Sequence, residues 1–359
     1  MDLSYSIEQQ ELADSVRRFC LEQINPERLA AWARSERGFD DDLWRQVADL
    51  GWLGVGLPST AGGSGLGLVD VACLLSECGR GLMPLAVSHA IRAADVLALV
   101  DPEAPELRDL ALGRTRVALC VEEESATQAD HLRTFVRDGR IEGRKAYVAN
   151  APAADLFLVA ARQDKVLGLH LVERSQVRVE PLRGFASGDT QGSVHFEKAA
   201  VFRSLETSRV GESLLDHIRR RQCVLALAEM IGGMDAVLEC TVAYVKEREQ
   251  FGQKIAVFQA VQHQIADMAT AYTAARHLAW QAITRVADDR DEPIDLPAAA
   301  AWVGASFKQL AVTGHHLHGG AGFVVEHPLH YHSERAQALS IRFTPERAAL
   351  ADVAAVLLD

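Results

Sequence analysis

The chain has 359 residues, 48% of them hydrophobic and 24% charged, with a formal net charge of -12. That length supports two or three domains and a sizeable core. The acidic balance, with no basic stripe to offset it, argues against a nucleic-acid partner, and no apolar run approaches the roughly 20 residues that span a bilayer. The first residues have neither a basic start nor an apolar stretch, so no signal peptide is expected and the expected location is cytoplasmic. Cys20, Cys73, Cys78, Cys120, Cys223 and Cys240 are scattered through apolar segments without a CxxC pair, which fits reduced, buried thiols.

Residues 1–112 read as helical. Ser6 followed by Gln9 predicts a capping box, and the helix after it places Leu12, Val16 and Phe19 on one face. A second helix is predicted at 41–50, where Leu43, Val47 and Leu50 recur at helical spacing. WLGVGLPSTAGGSGLGL, 52–68, breaks the pattern with six glycines and a proline and reads as a long loop. Helices follow at 69–79 and 83–100. Residues 113–205 switch to short β-rich runs split by turn residues, about seven strands, with Asp138-Gly139 as a hairpin signal. A small barrel or a sandwich is expected there. From 206 to 359 the chain is helical again, with long helices at 211–248 and 256–288, a polar break at 288–297, a helix at 297–317 and two shorter ones. Four to five antiparallel helices predict a bundle. The fold class is therefore α+β: a helical domain (1–112), a β domain (113–205) and a helical bundle (206–359).

One break in the bundle carries chemistry. REQFG, 248–252, interrupts a good helix. As an isolated pentapeptide it reads as a helix end, with Phe251 in the core and Gly252 as a C-cap. An Arg fork can equally match two oxygens of a phosphate. Further on, HHLHGGAGFVVEHPLH, 315–330, places Gly319-Gly320 at a helix end, where backbone can approach a ligand closely.

The run RxQFGxxI, then FQxxxHxxADM, then HGGxGFxxEHxLH resembles the acyl-CoA dehydrogenase family, particularly its bacterial branch. The α–β–α order, the LPSTAGGSGLGL loop and GRKAYVANAPAADLFLVAA extend the resemblance over the whole chain. It implies an N-terminal helical domain, a β domain and a C-terminal four-helix bundle, assembled as a homo- or hetero-oligomer with a dehydrogenase-like chain. It implies FAD as cofactor and an acyl-CoA thioester as substrate, which loses an α-proton to a carboxylate and a β-hydride to the flavin. Arg248 then matches the contact to the FAD diphosphate of a neighbouring subunit. Gln250, Phe251 and Gln259 match flavin-contacting positions on that side, while Gly319 and Gly320 match the glycines beside the adenosine part. His316 stands where the family has a Gln, and Gln262 reads as an ordinary helix-face residue.

The departures fall elsewhere. The family's T-E-P-x-x-G-S-D strand is matched by CVEEESATQAD, with Glu122 in place of the Thr that would bond the flavin ring. The W-x-T contact becomes Tyr147-Val148-Ala149, which keeps the aromatic body and loses the hydroxyl. The two places where the family carries its catalytic Glu hold Gln222 and Phe343, with Thr344 at the site of the following Gly. Gln accepts no α-proton at neutral pH. Glu229, Glu326 and Glu346 are the alternative carboxylates; Glu229 lies seven residues beyond Gln222 on a similar face, within ALAEMIGG, which reads as a packing turn around a buried, paired carboxylate. His315, His316, His318, His327, His330 and His332 form a dense set, but no metal site is expected because the resembling branch has this pattern without one. Three functions follow: a non-catalytic subunit lending its diphosphate-binding surface to a partner, a self-sufficient dehydrogenase with a relocated base at Glu229, or an acyl-CoA-binding scaffold without redox chemistry.

Overall fold

The computed structural model describes residues 5–124, 131–164, 166–205, 211–324 and 326–358. Its helices are α1 (Ile7–Gln23), α2 (Pro26–Ala33), α3 (Asp41–Asp49), α4 (Leu68–Arg80), α5 (Leu85–Val100), α6 (Glu106–Ala111), α7 (Gly211–Glu247), α8 (Gln259–Ala287), α9 (Asp295–His318), α10 (Leu329–Phe343) and α11 (Glu346–Leu358). Between α6 and α7 run β1 (Val117–Cys120), β2 (Phe135–Arg137), β3 (Arg140–Ala149), β4 (Leu156–Gln163), β5 (Val166–Glu173), β6 (Arg178–Arg183), β7 (Thr190–Ala200) and β8 (Arg203–Leu205); β9 (Glu249–Gln250) and β10 (Gln253–Lys254) lie between α7 and α8. The chain forms two compact units. The first comprises Met1–Ala31, Leu68–Met83 and Gln222–Asp359; the second comprises Trp32–Gly67 and Pro84–Arg221.

In the first unit, Ser6 and Gln9 cap α1 reciprocally: the Gln9 amide donates to Ser6 Oγ at 3.2 Å and the Ser6 amide to Gln9 Oε1 at 3.0 Å. The buried face of α1 is Ala13, Val16 and Cys20, so the predicted stripe is rotated, with Leu12 and Phe19 only half-buried. Small residues decide the closest helix crossing. Gly79 of α4 faces the Glu229 carbonyl of α7, and Gly232 of α7 faces the Ser76 carbonyl of α4; a Cβ at either glycine would overlap backbone. ALAEMIGG is therefore helix interior inside α7 rather than a turn, with its glycines serving a backbone-to-backbone contact. α9 packs against α8, α10 and α11, as a bundle requires.

In the second unit the strands form one eight-stranded sheet in the order β6-β7-β3-β2-β4-β5-β8, with β1 also paired to β4. Asp138 and Gly139, at φ 49° and 69°, make the two-residue turn between β2 and β3, the left-handed pair that a tight hairpin needs. Alternation splits the apolar residues between the two faces. Val117, Leu156, Leu158, Leu169 and Leu171 pack with helical residues such as Leu97, Leu107 and Leu215. Cys120, Ile141, Phe157, Val159, Val194 and Phe196 gather on the opposite face. β4 is buried on both faces, which is why LFLVAA reads as a continuous apolar run.

Candidate functional site

The REQFG break is a miniature hairpin. α7 ends at Glu247, the Arg248 amide donates to the Tyr244 carbonyl at 2.8 Å, and the Ile255 amide donates to the Arg248 carbonyl at 2.9 Å. Gln253 pairs with Gln250 and Lys254 with Glu249, which leaves Phe251-Gly252 as the two-residue turn at φ 55° and 77°. Gly252 is thus not a helix cap and Phe251 is not in the core: its side chain is 91% exposed, with only an edge contact to Phe258 at 6.0 Å. A left-handed Phe is disfavoured, so local propensity gives no hint of this turn. Arg248, Gln250 and Gln259 are exposed beside it. The Gln262 amide donates to the Ala256 carbonyl at 3.0 Å, a local tie at the start of α8.

The second element ends at the same place. Gly319 terminates α9 at φ 58° and ψ -139°, a conformation only glycine adopts readily, and its amide reaches the His315 and His316 carbonyls. Nothing lies within 4 Å of where a Cβ would sit on Gly319 or Gly320. His316 is exposed on the last turn of α9. Tyr244, which the sequence reading did not single out, joins the two elements. Its ring stacks on His318 at 4.3 Å and its hydroxyl donates to the His318 carbonyl at 3.1 Å, while its own carbonyl takes the Arg248 amide. The available signal was its position, one helical turn before Arg248. Arg248 and the two glycines therefore share one end of the first unit.

The two positions that the resemblance assigns to the base also come together. The Cys223 thiol donates to the Phe343 carbonyl at 3.3 Å, which sets the residue after Gln222 against the end of α10. Gln222 and Phe343 are half-buried, and Thr344 is buried with its hydroxyl close to where a Cβ of Gly304 would be. Glu229 is 1% exposed at the α4 crossing, about 10 Å along α7 from Gln222 at helical rise. Glu326 is exposed, and Glu346 is exposed and paired with Lys308 at 3.2 Å.

In the second unit, Tyr147 sits at a register shift between β3 and β7, left-handed at φ 52° and 57% exposed. A bulky residue held in that region is strained, and such strain gathers at functional sites. Beneath it Lys145, fully buried, donates to Glu123 Oε1 at 2.9 Å, and Glu123 also accepts from Thr134 Oγ1 at 2.6 Å and from the Arg133 amide at 2.8 Å. Burial alone would raise the Glu123 carboxyl, but the Lys145 charge and these donors hold it below the usual range. Glu122 is exposed and faces Arg219 at 3.8 Å, so its charge has a counterion. The rest of the matched strand, residues 125–130, lies outside the described residues. A cavity of about 440 Å³ is lined by Leu182, Phe185, Asp189, Thr190 and neighbours, and none of the predicted residues lines it. Among the described residues no group of three His, Cys, Asp or Glu side chains is placed to hold a metal, and no helix is long and apolar enough to cross a membrane.

Helical segments before and after one eight-stranded sheet place an exposed arginine and two open glycines at one end of the first unit. Comparison with known proteins identifies the class. The family model described as "Acyl-CoA dehydrogenase, N-terminal domain" matches residues 6–100, and "Acyl-CoA dehydrogenase, C-terminal domain" matches residues 216–357. The chain is 32% identical over 308 residues to benzylmalonyl-CoA dehydrogenase of Aromatoleum aromaticum, covering 79% of this chain and 80% of that protein. It is 28% identical over 333 residues to acyl-CoA dehydrogenase IpdE2 of Mycobacterium tuberculosis, covering 92% and 91%. Its structure is similar to a chain of the ChsE4-ChsE5 complex from Mycobacterium tuberculosis, with a TM-score of 0.89 at 25% identity over 100% of this chain and 99% of that one. The chain belongs to the acyl-CoA dehydrogenase family. FAD is the cofactor of that family, and the exposed Arg248 with the open Gly319 and Gly320 fits its diphosphate chemically.

Proposed function

We propose that this chain is the non-catalytic subunit of a heteromeric acyl-CoA dehydrogenase and completes the FAD site of a partner chain that carries the base. The observation that supports it most is the contrast between the two groups of residues. Arg248, Gln250, Phe251, Gln259, Gly319 and Gly320 stand open at one end of the first unit. Where the family places its carboxylate there are Gln222 and Phe343, tied together through Cys223. Glu229 is a poor substitute base. It is sealed against α4, and a base must come within hydrogen-bond reach of the proton it takes. On this reading Arg248 and the glycines hold the diphosphate, Gln250 and Gln259 offer amides to the flavin side, and Phe251 supplies an apolar wall. FAD, when bound, supplies the hydride acceptor for α,β-dehydrogenation of an acyl-CoA thioester. The similarity to a chain of a two-component complex is consistent with this assignment.

The test is the absorbance between 350 and 500 nm of the protein purified alone and after co-expression with an acyl-CoA dehydrogenase-like chain. Flavin retained only with the partner, and lost again in Arg248→Ala, is the expected result. Stoichiometric FAD with thioester oxidation by this chain alone would sink the proposal.

A further inference from the structure

The turn that carries Gly319 and Gly320 is flanked by imidazoles. His318 lies between Tyr244 on one side and His327, edge-on at 4.8 Å, on the other. His315 stacks on Phe323 at 4.6 Å, and His330 lies over Tyr331 at 3.8 Å. The ring nitrogens have assigned roles. His318 Nδ1 is 2.8 Å from the Gly314 carbonyl, so it carries the proton, and Nε2 is left as a buried lone pair without a partner. His327 Nδ1 accepts the Leu329 amide at 3.2 Å, the first residue of α10, so it must be unprotonated. His330 Nδ1 donates to the His327 carbonyl at 2.8 Å.

From this wiring we propose that His318 and His327 form an acid-sensitive latch, which holds the Gly319–Phe323 turn closed at neutral pH and releases it in mild acid. A second proton on His318 would create a buried donor with no acceptor, which is costly. A proton on His327 Nδ1 abolishes the bond that starts α10. The first event acts on the residue that precedes the turn, the second at the start of α10 beyond it.

Burial and the neighbouring imidazoles oppose protonation. Burial, then His318 and His315 and His330, lowers His327; burial, then His318 and His330, lowers His315; burial lowers His318 despite its bond to Gly314. Behind them His332 is pushed down to about 3 by burial and by Arg335 and Arg80. The hydroxyl of Tyr244 is the group contributed by α7, and Glu326, next to His327, is exposed. A histidine freed from the cluster titrates near 6.5. Below that pH the open form binds more protons than the closed one, so closure weakens as the pH falls from about 6.5 toward the lowered values.

The consequence for a ligand rests on the reading of this end of the unit as a diphosphate site, but the latch can be tested without it. Hydrogen exchange of the full-length chain is followed at pH 7.5 and 5.5, corrected for intrinsic rates. Amides of the described residues between 319 and 330 should lose protection at the lower pH relative to the core of β4. His327→Asn keeps an acceptor for the Leu329 amide without titrating, and should suppress that response while leaving exchange at pH 7.5 unchanged. His318→Phe, which keeps the stack on Tyr244, should reduce it too. No pH response, or the same response in both variants, overturns the latch. Flavin retention by the co-expressed assembly is scored separately: an Arg248→Ala protein that keeps FAD as tightly as wild type counts against the cofactor reading, and the exchange data still decide the latch.

Discussion

On the proposed reading, Phe343 stands where the family has its carboxylate. Were that the only departure, Phe343→Glu would restore a general base, typically worth about 10²–10⁴ in rate. The positions that the resemblance assigns to the flavin ring differ as well, with Glu122 facing Arg219 and Ala149 lacking a hydroxyl. Phe343→Glu in the chain alone is therefore expected to give no thioester oxidation above background in a dye-reduction assay; measurable turnover would show that the remaining site is intact. Tyr147 adds a second residue-scale point, because its left-handed backbone costs on the order of 1–3 kcal/mol. The buried Lys145–Glu123 pair is next to that bulge and offers the rigidity to maintain it. Identity was legible at these positions and conformation was not: a sequence shows Tyr147 and Phe251 as aromatics, while the positive φ at each comes from hydrogen-bond register.

Among the elements, the crossing of α4 and α7 is the most sharply constrained. Gly79→Ala would drive a methyl group into the Glu229 carbonyl, backbone against backbone, where no side chain can rotate away. Overpacking of this kind typically costs about 1–3 kcal/mol, and the absence of a flexible neighbour puts this substitution at the upper end. The urea midpoint should fall with little change in slope. Helix limits were readable wherever capping or a polar break marked them: the Ser6 box, and the ends of α7, α8 and α9 within three residues of the predicted 211–248, 256–288 and 297–317. The β2–β3 turn was equally plain because Asp-Gly suits left-handed backbone. The β9–β10 hairpin was not, since Phe-Gly after an Arg looks like a helix stop. The glycines of ALAEMIGG signal a break from local propensity, yet tertiary proximity keeps them helical.

For the molecule as a whole, the order of helical, β and helical segments followed from periodicity alone, because 3.6 and 2 are well separated patterns. The division into units did not. Leu68–Met83 clusters with distant C-terminal helices rather than with its chain neighbours, and long-range contacts of that kind leave no periodic trace. The pairing order of the eight-stranded sheet was likewise not legible, since strand spacing is common to barrels and sandwiches while pairing order is not written locally.

The Phe251 turn has one more consequence, for how the assembled state can be recognised. An aromatic ring that projects from a two-residue turn is the preferred cut site of a chymotrypsin-type protease. The free chain should be nicked after Phe251, splitting α7 from α8, and mass spectrometry of the fragments locates the cut. Once another chain covers the turn, the same digestion should leave that bond whole. A cleavage rate at Phe251 that is the same with and without a co-purified partner would mean that this aromatic faces solvent in the finished enzyme too.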